Sequence, residues 1–116
     1  MDKSLKINQY EQLILNYLTE NELRSTEDEG YERVVVSDKE HRHYQLLATG
    51  WATPTRFVNT IIIHLQIKPN GKVWLLENST ELHPAEDLVK LGIPKEDIVL
   101  GFHPPQLRTY SGYAMA

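Results

Sequence analysis

The segment Gly92-Ile93-Pro94-Lys95-Glu96-Asp97-Ile98-Val99-Leu100-Gly101-Phe102-His103-Pro104-Pro105 constrains this chain more than any other. Two glycines and three prolines in fourteen residues leave the backbone few paths, because glycine opens positive φ and proline fixes φ and removes a donor. Gly92 and Pro94 end a helix, Pro94-Lys95-Glu96-Asp97 makes a tight turn, and Ile98-Val99-Leu100 is apolar enough to enter a core. The run has no amphipathic period of its own, so it reads as a shaped connection that the preceding elements pack around.

Those elements can be taken in order. Apolar side chains at Tyr10, Leu13, Ile14, Tyr17 and Leu18 form the stripe of an amphipathic helix from Leu5 to about Leu18. From Thr19 to Glu32 the stripe gives way to Glu20, Glu22, Glu27, Asp28, Glu29 and Glu32 against Arg24, which predicts an acidic solvated loop closed by Gly30. Val34-Val35-Val36 predicts a first strand over Tyr31 to Ser37, and Asp38-Lys39-Glu40 a polar turn. Arg42 to Trp51 follows as a second strand, with Tyr44, Leu46 and Ala48 on one face.

Pro54 separates a third strand, Arg56 to Lys68, in which Ile61, Ile63, Leu65 and Ile67 alternate with Thr60, Ile62, His64 and Gln66. Asn70-Gly71 signals a hairpin: a two-residue turn sets Ile67 opposite Trp74 and Leu65 opposite Leu76, and Pro69 leaves a longer loop open. A fourth strand runs from about Lys72 to Glu77. Pro84 starts a helix with Leu88, Val89 and Leu91 inward, and Gly92 with Ile93 makes its Schellman stop. Pro105 to Tyr110 adds one helical turn. The expected fold is α+β: an antiparallel sheet of about four strands, an N-terminal helix and a second helix near the C-terminus, in a single domain over residues 1–116.

Composition narrows the function. The chain contains no cysteine, so neither a disulfide nor a thiolate metal site can form. An apolar run such as Ile61-Ile62-Ile63 is too short to span a bilayer, and the N-terminus lacks a signal-peptide pattern; a cytoplasmic protein with no membrane partner is expected. The formal charge is -4, and the twelve Lys and Arg residues are scattered, with no three adjacent. Stand-alone nucleic-acid binders gather cations on one face, so a DNA-binding regulator acting alone fits poorly.

The candidate chemistry is thin. His41-x-His43 on a strand would share one face and, with His64, His83 or His103, could hold a metal. Asp38, His43, His64 and His103 are accordingly the set a metal-dependent nuclease or hydrolase would need. Glu81, Glu86, Asp87, Glu96 and Asp97 lie where helix starts explain them as caps and dipole partners. No serine sits in a nucleophile elbow and no phosphate-binding glycine loop is present. Asp38, Arg42 and Arg108 would form an ion-pair cluster if the first turn lay beside the tail. Neither a catalytic site nor a cofactor is expected. The acidic segment reads as a solvated linker or a contact for a basic partner, and Tyr110, Tyr113 and Met115 as packing on their own domain or on a neighbouring subunit.

The segment Gly92 to Pro105, followed by Arg108, Tyr110 and the ending Ala114-Met115-Ala116, resembles the C-terminal signature of the XisI family, the fdxN element excision controlling factors. Asp38, Arg42-His43-Tyr44, Gly50-Trp51, His64-Leu65-x-Ile67-Lys68, Gly71-Lys72-Val73-Trp74 and Thr80-Glu81 follow the order that family shows. Asn78 stands where the family usually has aspartate, and Ser111-Gly112 where it tends to have Thr-Glu. The resemblance implies a non-enzymatic accessory protein required for excising a DNA element during heterocyst differentiation in cyanobacteria. It also implies contact with an XisH-like, nuclease-type partner or a site-specific recombinase; a homo-oligomer is a further option that the apolar tail leaves open. The residues it singles out, as motif or interface, are Asp38, Arg42, His43, His64, Trp74, Gly92, Pro94, Asp97, Gly101, His103, Pro105, Arg108 and Tyr110.

Overall fold

The computed structural model describes residues 3–23 and 30–116. The amphipathic stripe forms helix α1, Lys3–Leu23, and four antiparallel strands follow: β1 Tyr31–Asp38, β2 His43–Thr53, β3 Arg56–Ile67 and β4 Val73–Asn78. Helix α2, Pro84–Leu91, crosses to a 3-10 turn, Lys95–Asp97, and to a short strand β5, Ile98–Leu100. A last helical turn, α3, spans Pro105–Arg108. The sheet order is β1-β2-β3-β4-β5. The fold is α+β, as expected, with one strand more than the sequence predicts.

That fifth strand is parallel to β4, with Val73 beside Ile98, Trp74 beside Val99 and Leu75 beside Leu100. Three residues are too few to show a period, which is why Ile98-Val99-Leu100 reads only as apolar filler in sequence. Its outer edge is covered by the chain's own end: the Ala114 N–H donates to the Ile98 carbonyl at 2.8 Å. An edge protected in this way cannot recruit another strand.

The core lies between α1 and one face of the sheet. Ile7, Tyr10, Ile14, Tyr17 and Leu18 meet Tyr44, Leu46, Ile63, Leu65, Ile67, Val73 and Leu75, all buried. Each fully buried aliphatic side chain contributes about 1.5–3 kcal/mol. α2 adds Ala85 and Leu88, and Ile93 and Ile98 close the end. Gly92, at φ 121°, forms the expected Schellman stop, its N–H on the Val89 carbonyl at 3.1 Å and that of Ile93 on Leu88 at 3.0 Å.

Five expectations need correcting. First, Leu91 is exposed on α2 rather than inward. α1 extends to Leu23, so Glu20 and Glu22 are helical, and Glu32 lies in β1; Arg24, Glu27, Asp28 and Glu29 lie outside the described residues. One local and one tertiary contact hold the extension: buried Asn21 bonds the Tyr17 carbonyl at 2.9 Å, and the Glu22 carboxylate accepts the Val35 N–H of β1 at 2.6 Å.

β2 starts at His43, because Arg42 takes φ 60° in a turn where Asp38 Oδ1 accepts the N–H groups of Glu40 and His41. The β3–β4 loop is one residue longer than a two-residue turn. Gly71, at φ 86°, donates to Lys68, and the closing pair is Lys68 with Lys72, which places Val73 opposite Ile67 and Trp74 opposite Gln66. Shifting the register by one sends Val73 and Leu75 into the core and turns Trp74 to the other face.

Finally, Ile61 is not core. A bulge in β3 pairs Leu46 with Ile63 but Leu47 with Ile61, so Ile62 and Ile63 are buried while Ile61 faces outward.

Candidate functional site

Of the residues singled out by sequence, the sheet face opposite α1 carries Asp38, His43, His64 and Trp74. The register places Val34, Leu47 and Ile61 in one row, Val36, Gln45, His64 and Glu77 in the next, and Asp38, His43, Gln66 and Trp74 in a third. A shallow groove of about 660 Å³ runs between Gln45, Leu47, Ile61, His64, Leu76 and Glu77. At the far end of the β2–β3 arm, Trp51 and Phe57 stack edge to face at 5.2 Å.

Two histidines meet here. His43 Nδ1 lies 2.9 Å from His64 Nε2, so one ring donates and the other accepts. Burial and the charge of His43 hold the His64 pKa below the ordinary imidazole range, against an upward pull from Glu77. A histidine whose folded pKa is depressed contributes stability above its unfolded pKa, about 6.5, that is lost as pH falls. The expected outcome is a melting temperature that drops between pH 7 and pH 5, with a flatter profile for His64→Gln, measured by thermal denaturation across pH.

The other candidate ligands do not join them. His41 lies in the turn, not on β2, and its Nδ1 contacts Asp38 Oδ2 at 2.7 Å. The His41 backbone N–H, then its side chain, holds the Asp38 carboxyl below its usual value. His83 precedes α2 without a capping bond, and the His103 ring stacks on Phe102 at 4.6 Å. Among the described residues no three His, Asp or Glu side chains could hold a metal ion. A site built from Asp38, His43, His64 and His103 is therefore not assembled.

Asp38, Arg42 and Arg108 are also apart. Arg42 pairs with Glu11 at 3.7 Å, whereas Arg108 ties the chain's end to the sheet. Its Nε donates to the His103 carbonyl at 3.0 Å and its Nη1 to that of Met115 at 3.2 Å, and its guanidinium lies over Trp74 at 4.9 Å. Lys68 also lies 4.9 Å from the Trp74 ring, and Gly101 presses on the indole so closely that a Cβ would sit 2.9 Å from Cε3. Trp74, Gly101, His103 and Arg108 thus form one knot, with Pro105 starting the helical turn that delivers Arg108. Tyr110 is 84% exposed, Met115 is also exposed, and Tyr113 is half-buried beneath Lys95.

Glu86, Asp87, Glu96 and Asp97 lie in first helical turns as expected, without side-chain capping bonds, and two of them also bond across the fold. Asp97 accepts the Tyr10 hydroxyl at 2.5 Å and pairs with Lys6 at 2.8 Å; Asp87 accepts the Tyr17 hydroxyl at 2.7 Å; Glu11 accepts that of Tyr44. Three tyrosine–carboxylate bonds therefore fasten α1 to the sheet, to α2 and to the turn that begins at Pro94. Sequence reasoning assigns these tyrosines only to apolar faces, since nothing local reveals partners 87, 70 and 33 positions away.

Tyr10 and Asp97 titrate as a pair. Burial, then the bond to Asp97, pushes the Tyr10 pKa up; for Asp97 burial pushes up, but Lys6 and Tyr10 outweigh it and the carboxyl stays low. The contribution of Tyr10 is complete below its unfolded pKa of about 10 and lost above it; that of Asp97 is present above about 3.9 and lost below. Tyr10→Phe is expected to cost about 1 kcal/mol near pH 7. Its difference from the parent should shrink below pH 4 and above pH 10 in denaturant titrations.

The comparisons with known proteins agree with this architecture. The family model described as XisI protein matches residues 1–115. Among solved structures, a XisI-like protein from Anabaena variabilis ATCC 29413 is 37% identical with a TM-score of 0.86, over 95% of this chain and 99% of that one. The fdxN element excision controlling factor XisI from the same strain is 32% identical with a TM-score of 0.78, over 96% of this chain and 99% of that one. The search of curated proteins finds no match. Among the described residues no helix is long and apolar enough to cross a membrane. A match over nearly the whole length, joined to two well-superposed relatives, decides the matter: this chain belongs to the XisI family.

Proposed function

We propose that this chain is a non-catalytic controlling factor for excision of a DNA element, acting in the cytoplasm by contact with another protein while a recombinase cuts and rejoins the strands. The observation that carries the reading is its family membership together with its likeness to a solved excision controlling factor. The side chains support it: the histidines and acids a nuclease would gather are spent on pairwise contacts within the fold. The partner in this reading is an XisH-like protein or the recombinase itself. Its basic surface would approach the helical side, where Glu20 is exposed and Glu86 lies in the first turn of α2, because complementary charge speeds and selects association.

Co-purification of the chain with its XisH-like neighbour tests this directly. A complex at micromolar concentration that weakens as salt rises is the expected result. No complex with either protein, or metal-dependent DNA cleavage by the purified chain alone, would sink the reading.

A further inference from the structure

The sheet face opposite α1 carries an apolar patch, and among the described residues no element of the chain covers its centre. Five of the twelve exposed large hydrophobic residues lie on it: Val34, Val36, Trp51, Phe57 and Ile61. Soluble monomers rarely leave so many β-branched and aromatic groups together on one surface. We infer that this face is the contact between two copies of the chain, related by a two-fold axis.

Charge selects a second copy over the other occupants. Each copy carries a formal -4, so association through its acidic surfaces is repulsive. The acids Glu11, Glu20, Glu22, Glu86 and Asp87 sit on α1 and α2, which lie on the other side of the sheet. On the outer face Asp38, Glu32 and Glu77 lie at its borders; the rows between hold Val34, Leu47 and Ile61 and then Val36, Gln45 and His64, with the uncharged Thr49 and Asn59 beside Glu32 in the row toward the aromatic pair. Two copies meeting here turn their acids away from one another. A basic protein or a nucleic acid would find no row of opposite charge.

Size and shape agree. Four strands spaced about 4.8 Å apart and about ten residues long at ~3.3 Å per residue give a face of about 600 Å² in projection, before side-chain relief is counted. A stable interface buries roughly 800 Å² of accessible surface per partner. The aromatic pair and the groove lie on the same face, with Phe57 four residues before Ile61, about 13 Å along the strand. A two-fold axis between them seats Trp51 and Phe57 of each copy over the groove of the other, the self-complementary arrangement a symmetric dimer needs. Tryptophan in such a pocket is a common anchor of binding energy.

Sedimentation equilibrium of the purified chain from 1 to 100 µM tests the inference. A dimer is expected, with its dissociation constant raised at least tenfold by Trp51→Ala and more by Leu47→Glu, while Glu20→Lys on the helical side leaves it unchanged. Trp51 is 57% exposed at the arm's end, so its replacement is tolerated by the fold, and circular dichroism checks each variant. A monomer at 100 µM, or a dimer indifferent to both face variants, would overturn the inference. Capture of this face by a basic protein in place of a second copy would overturn it too. The sedimentation outcomes do not depend on whether the XisH-like neighbour binds, so the two proposals fail separately.

Discussion

Replacing Gly101 with valine is expected to lower stability by about 3 kcal/mol, the upper part of the range for overpacking. The reason is visible around the residue. A Cβ at this position would meet Trp74 Cε3 at 2.9 Å, Leu76 Cδ2 at 3.0 Å and the Leu75 carbonyl at 3.2 Å, and valine adds two methyl groups beyond it. The indole cannot swing aside freely, because Arg108 and Lys68 both lie against it. Nor can the backbone move away, because the Gly101 N–H donates to the Leu75 carbonyl at 2.8 Å. A loss of about 3 kcal/mol corresponds to a fall in melting temperature of roughly 10 °C for a domain of this size. A change under 1 kcal/mol would show that the knot is looser than these contacts require.

Arg108→Ala is expected to cost about 2–3 kcal/mol by a different route. Hydrogen bonds from a charged group contribute about 1.5–3 kcal/mol, and the contact with Trp74 about 0.5–1 kcal/mol more at a partly exposed site. The Met115 and His103 carbonyls would lose their guanidinium donor. The chain's end would then hold to β5 mainly through the Ala114 N–H on Ile98. Arg108→Lys should recover little, since a single ammonium cannot reach both carbonyls and also lie flat on the ring. Denaturant unfolding measures the loss, and hydrogen exchange at Ala114 should accelerate in both variants.

Much of the architecture is legible in the sequence because it is locally encoded. The stripe from Tyr10 to Leu18, the alternation in β2, the proline start of α2 and the glycine stop at Gly92 each announce themselves within a few residues, and each forms as expected. What fails is what depends on distant partners. The bulge at Ile62 is set by pairing with β2, and strand β5 exists only because β4 lies beside it. Pro69 hints at the longer loop, but only the pairing of Lys68 with Lys72 fixes the register that turns Trp74 outward.

The site shows the same division. His43 and His64 stand 21 positions apart, and no local pattern joins them; the pleat and the register do. Conversely His41 and His43 look paired in sequence, but a positive φ at Arg42 turns the chain between them. Many of the family's signature residues prove to be fastenings. Gly92 ends α2, the Pro94 carbonyl accepts the Asp97 N–H, Asp97 holds Tyr10 and Lys6, and Gly101 makes room for Trp74. The apolar outer face escapes notice because Ile61 reads as core, and Val34 and Leu47 are not seen beside it until the strands are placed.

An excision assay separates contact from chemistry most directly. In cells lacking the gene for this chain, the rearranged junction should fall at least tenfold by quantitative amplification, and the chain should restore it. The double variant His43→Gln, His64→Gln should restore it as well, since control by contact calls for no reaction at those rings. If that variant folds, binds its partner and still leaves the element in place, the protein performs chemistry at those side chains and control by contact alone is contradicted.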